Sequence, residues 1–79
     1  MPLSMDLRVT FAANLVRLRR AKGLSQEALA CAASVNRSYL ARIETAQPYV
    51  GLEVIGKLAE ALDVEAAELL KVTSERKRS

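Results

Sequence analysis

Leu7, Phe11, Leu15 and Leu18 recur at steps of four, four and three, with Arg8, Asn14, Arg17 and Arg19 mostly between them. This is the spacing of one face of an amphipathic helix. Asp6 can cap its start, and Gly23 can stop it in a left-handed conformation after Lys22, with Leu24 packing back on the helix just ended. A first helix over about residues 7–22 follows. Ser25 is a good cap for a second, over about 26–33, in which Ala28, Ala30, Ala32 and Ala33 surround Leu29 and Glu27 suits the positive end of the helix dipole. Small side chains there let another helix cross closely. After Ser34-Val35, Asn36 can cap a third helix over about 37–44, with Leu40 and Ile43 inward. Thr45 to Gly51 holds Pro48 and Gly51 and reads as a loop. Leu52, Ile55, Leu58, Ala59 and Leu62 make the stripe of a fourth helix, about 52–62. A break at Asp63-Val64 precedes a fifth, about 65–71, which buries Leu69 or Leu70. The expectation is an all-α fold, one domain of five short helices over 7–72, followed by a flexible basic tail at 73–79 with no apolar anchor.

The second and third helices are joined by a very short turn. That connection forces a steep crossing and leaves the third helix projecting, able to enter a major groove. Such a helix-turn-helix, over roughly Gln26 to Ile43, needs a small residue where the helices touch, apolar residues beneath and polar ones outside. Ala30 fills the first role, and Leu29, Ala33, Val35, Leu40 and Ile43 the second. Arg37, Ser38, Tyr39 and Arg42 supply the outward face, at least in part.

Composition narrows the chemistry. With 79 residues the chain suffices for one core but not for a core and a walled active site. Only Phe11, Tyr39 and Tyr49 are aromatic, so the core is aliphatic and suits packed helices. There is no histidine and one cysteine, hence no metal-ligand set and no nucleophile–base pair, and neither an enzyme nor a cofactor is expected. Cys31 has no internal disulfide partner, which fits a reducing cytoplasm, and reads as inert packing. The N-terminal segment has no unbroken apolar run of a signal peptide, and nowhere do about 18 apolar residues follow one another.

The net charge of +3 conceals an asymmetry. Residues 8–42 carry Arg8, Arg17, Arg19, Arg20, Lys22, Arg37 and Arg42 against Glu27 alone, while 43–72 carry only Lys57 and Lys71 against six carboxylates. The first part suits a polyanion and the second does not.

The stretch from Phe11 to Leu70 resembles the phage-repressor and Xre type of helix-turn-helix regulator. The likeness is carried by Leu15-Val16-Arg17-Leu18-Arg19, Lys22-Gly23-Leu24-Ser25-Gln26-Glu27-Ala28-Leu29-Ala30, Tyr39-Leu40, Ile43-Glu44 and Lys57-Leu58-Ala59-Glu60-Ala61-Leu62. Asn36-Arg37-Ser38-Tyr39 is most similar to the small controller proteins of restriction-modification systems. The resemblance implies a phage-repressor-like bundle that binds double-stranded DNA and regulates transcription, bacterial or phage-encoded, cytoplasmic and nucleoid-associated. Two positions depart from it: Ser34 stands where glycine is usual in the turn, and Val50-Gly51 where Pro-Ser usually precedes the fourth helix.

By the same resemblance, Gln26 grips a phosphate at the start of the second helix, and Arg37 and Ser38, beside Asn36, reach base edges. Arginine can hold guanine O6 and N7 at two points. Arg42, one turn on, contacts a base or a phosphate. Tyr39 lies along the DNA or is half-buried core, and Thr45 and Gln47 are phosphate contacts in the loop. The resemblance also pairs Arg19 with Glu44, bracing the recognition helix. One recognition helix covers few base pairs, so a homodimer on a (pseudo)palindromic operator is expected. Val50, Val54, Val64, Leu69 and Val72 exceed what a small core absorbs, and controller-type relatives pair through their last helices, so these residues are the expected interface. RNA polymerase is a further candidate partner, and neither a membrane nor a small-molecule ligand is indicated. The competing reading is an antitoxin or anti-activator whose main role is to bind another protein.

Overall fold

The computed structural model describes residues 6–72, which form five α-helices: α1 (Leu7–Ala21), α2 (Gln26–Ala33), α3 (Arg37–Glu44), α4 (Leu52–Leu62) and α5 (Ala66–Leu70). Among the described residues there is no strand, and no helix is long and apolar enough to cross a membrane. The tail expected at 73–79 lies outside the described residues.

The starts follow their capping side chains. Asp6 accepts from the Arg8 N–H, Ser25 from Ala28, and Asn36 from both Ser38 and Tyr39. α4 opens on Gly51, which offers no side-chain cap. The ends follow one rule four times over. Gly23, Ser34, Ala46 and Asp63 all stand at positive φ, and in each case the next residue donates its N–H back across the last turn: Leu24 to Arg19, Val35 to Ala30, Gln47 to Arg42, and Val64 to Ala59. Leu24, Val35 and Val64 then pack against the core, which is the apolar contact that completes this closure.

The core is aliphatic. Leu15, Leu29, Leu40, Ile43, Leu58, Leu62 and Leu69 are wholly enclosed, with Phe11, Ala30, Ala33, Ile55 and Ala59 around them. α1 packs on α3 and α5, α2 on α3 and α4, and α4 on α5, so α3 is held from behind by α1 and α2.

Three expectations are corrected. Leu7 and Leu52, read as inward, are 50% and 84% exposed, because each is the first residue of its helix and overhangs the core. Leu69, assigned to an interface with a second copy, is fully buried in the core, and its neighbour Leu70 is the exposed member of the pair. Asn14, set among the polar positions of the first helix, is buried: its amide donates to the Leu69 and Lys71 carbonyls, both at 2.9 Å, and its oxygen accepts from Arg17. It satisfies carbonyls that the end of α5 leaves without helical partners.

Candidate nucleic-acid interface

The turn between α2 and α3 is Ser34-Val35-Asn36. Ser34 adopts φ 59° and ψ 43°, ending α2 and turning the chain within three residues. Leu40 and Ile43 anchor α3 to the core, which leaves Arg37, Ser38 and Arg42 exposed on the opposite side. The Asn36 carbonyl oxygen is occupied in capping, at 2.8 Å from the Ser38 nitrogen and 3.2 Å from that of Tyr39, so its free amide hydrogens are what it can offer a ligand. Tyr39 is half-buried and packs on the core, with the Arg42 guanidinium 5.7 Å from its ring centroid. The ring thus supports Arg42 from beneath, a cation–π arrangement.

The C-terminal end of α3 is fixed by Glu44. Its carboxylate takes a two-pronged bond from Arg19, at 2.7 Å from Nε and 3.1 Å from Nη2, and the two side chains are only 11% and 6% exposed. Arg19 also donates to the Leu24 carbonyl at 2.8 Å, so one guanidinium ties α1, the turn after it and α3 together. A third donor reaches the same carboxylate: Nε2 of Gln26, at 2.8 Å from Oε1. The sequence placed Gln26 at a helix start but gave no sign of this bond, which joins two positions 18 residues apart.

Beyond α3, Thr45 and Gln47 are exposed but already engaged with one another. The Thr45 hydroxyl donates to the Arg42 carbonyl at 2.9 Å and accepts from the Gln47 amide at 2.9 Å, leaving Gln47 the freer of the two. The loop is tied to the start of α1 by Arg8, missed in the sequence because its partners are distant. Its guanidinium bonds Asp6, donates to the Gln47 carbonyl at 3.2 Å, and lies 4.4 Å from the centroid of the Tyr49 ring. Bonding to Arg8 holds the Asp6 carboxyl below its ordinary value, and the Arg8 guanidinium is raised by the same contact.

Some of the site residues expected at separate places are brought together in pairs. Gln26 and Glu44 meet, Tyr39 and Arg42 meet, and Thr45 and Gln47 meet. Projecting guanidinium, amide and hydroxyl groups on a helix braced from behind can contact phosphates and base edges together.

Comparison with known proteins identifies the family and the fold. Residues 10–71 match the model of a helix-turn-helix domain family. The chain is 32% identical to the control protein C.BamHI of Bacillus amyloliquefaciens, over 91% of this chain and 90% of that one. It is 35% identical to an HTH-type transcriptional regulator of Sinorhizobium fredii, over 90% and 92%. Among solved structures, the restriction-modification controller protein C.AhdI of Aeromonas hydrophila superposes with a TM-score of 0.77 at 50% identity, covering 78% of this chain and 94% of that one. The hypothetical transcription factor NHTF of Neisseria superposes with a TM-score of 0.85 at 39% identity, over 90% and 82%. The chain belongs to the helix-turn-helix family of transcriptional regulators, and within it resembles the restriction-modification controller proteins.

Proposed function

We propose that the protein regulates transcription by binding a (pseudo)palindromic operator as a homodimer, with α3 of each copy in the major groove of a half-site. The observation that carries this reading is the exposed row of Arg37, Ser38 and Arg42 on a helix whose other side is anchored by Leu40 and Ile43. In it, Arg37 and Ser38 read base edges, Arg42 reads a base or holds a phosphate, and Gln26, Asn36, Thr45 and Gln47 position the duplex. Occupation of a promoter, its own gene's included, then blocks or recruits RNA polymerase, without any catalytic step or bound cofactor.

Of the residues the sequence offered for a second copy, Val72 is left largely uncovered in the monomer. Leu69 is enclosed, and Val50, Val54 and Val64 already pack against the monomer core. Among the described residues, the large apolar side chains left uncovered are Val9, which lies elsewhere on α1, and Leu7, Tyr49, Leu52, Leu70 and Val72. Leu7, Tyr49, Leu52 and Leu70 line a groove of about 230 Å³ that also includes Arg8, Phe11, Pro48, Val50 and Ile55. A second copy covering this face leaves both α3 helices free. The same face is what favours the other reading, a module built to bind a different protein.

The test is a footprint on the DNA upstream of the protein's own gene, followed by titration of the protected duplex. Binding is expected to weaken steeply with salt, and Arg37→Ala to lose about 1–3 kcal/mol of preference for the site over random duplex. Equal binding to every duplex tried rules the regulator reading out.

A further inference from the structure

We propose that Glu44 is a positioning residue: it holds the side-chain amide of Gln26 in the orientation that presents its second N–H to a DNA phosphate. The inference rests on the regulator reading above and assigns to Glu44 a task beyond bracing α3.

The geometry is specific. A primary amide nitrogen carries two hydrogens in the amide plane. One Nε2 hydrogen of Gln26 is committed to Oε1 of Glu44 at 2.8 Å, which fixes that plane. The other hydrogen has no acceptor among the hydrogen bonds of the described residues, and Gln26 is itself the first residue of α2. There Ser25 takes only the Ala28 N–H, so the Gln26 and Glu27 N–H groups precede any helical acceptor. Side-chain and backbone donors thus converge where an anion is favoured by the helix dipole.

A carboxylate so close to a phosphate would repel it if unpaired. Arg19 removes that objection, since its two-pronged bond neutralises Glu44 and leaves one oxygen edge for Gln26. Glu44 is also the last residue of α3. A tilt of the recognition helix therefore turns the Gln26 amide with it, and the phosphate grip stays in register with base reading.

The experiment is a double-mutant cycle on DNA affinity, using the whole chain and the footprinted duplex. Gln26→Ala is expected to weaken binding about tenfold, as for one hydrogen bond to a charged group. Glu44→Gln keeps the shape but turns an N–H group toward the Arg19 Nε and leaves a single neutral oxygen, a weaker hold on Gln26 than a carboxylate, and is expected to weaken binding about fivefold in the parent and less than about twofold in the Gln26→Ala background. The cycle cancels whatever the change of charge does to both backgrounds. Equal losses in the two backgrounds overturn the proposal and leave the regulator reading intact. An unchanged affinity for Gln26→Ala removes the phosphate contact and the proposal with it. A parent that binds the footprinted and random duplexes alike overturns the regulator reading itself. Should Glu44→Gln fail to fold, the parent gives a second measurement, the order parameter of the Gln26 side-chain amide in the free protein. A value near that of rigid backbone, about 0.85, supports the proposal, and one below about 0.6 overturns it.

Discussion

Ser34 sits at φ 59°, where a Cβ crowds the following carbonyl at a cost of about 1–2 kcal/mol. Glycine avoids that cost but gives back part of it through its greater freedom in the unfolded chain. Ser34→Gly is therefore expected to stabilise the fold by about 0.5–1 kcal/mol, read as a raised urea midpoint with unchanged slope. Asn14 is the opposite case, a polar residue the core depends on. Asn14→Ala removes the donor for the Leu69 and Lys71 carbonyls, and a loss of about 1–3 kcal/mol is expected in the same measurement. The two residues also differ in legibility. Ser34 could be read from its place between two cap signals, since the chain must reverse there. Asn14 was set among the polar positions between the apolar ones, although it stands three after Phe11 and four before Leu18 and so falls on the buried face.

At the scale of elements, the helices were legible because their ends are written locally. Ser25 and Asn36 cap, and Leu24, Val35 and Val64 pack back after a left-handed residue, whether or not that residue is glycine. The contacts between elements were not legible, because no local pattern links Arg8 to Gln47 and Tyr49 across about 40 positions. Such pairings exist only once the helices are packed. The Asp6–Arg8 part of this clasp has a consequence that depends on pH. Since Asp6 is held below its ordinary 3.8, it binds its proton more weakly folded than unfolded. Its stabilising effect is present above that value and is lost as pH falls through the depressed one. Asp6→Asn is expected to match the parent's stability more closely as pH falls below about 4, with a small difference at neutral pH because the pair is exposed. Urea melts of both proteins at several pH values check this.

For the whole molecule, the division between a basic first part and an acidic second part was plain from charge alone, but which apolar side chains the monomer leaves uncovered was not: Leu69 is enclosed and Leu52 exposed. A five-residue helix is too short for periodicity to choose between Leu69 and Leu70, and an apolar residue at the first turn, such as Leu52, extends a stripe past the core it belongs to. Leu52→Glu tests the proposed surface. At 84% exposure it is expected to leave the melting temperature within a few degrees of the parent's, while sedimentation shows monomer where the parent sediments as dimer.

The bonds from Asn14 to the last turn of α5 also bear on how the protein comes into being. They join positions 55 and 57 residues apart, and the elements they close over include α2 and α3. On a ribosome, the Asn14 amide lacks both of its carbonyl acceptors until Lys71 has cleared the exit tunnel, so α1, one of the two helices behind α3, is completed last on its far side. A chain cut short before Leu69 is therefore expected to be less stable than the finished one, with the buried Asn14 amide left unpaired.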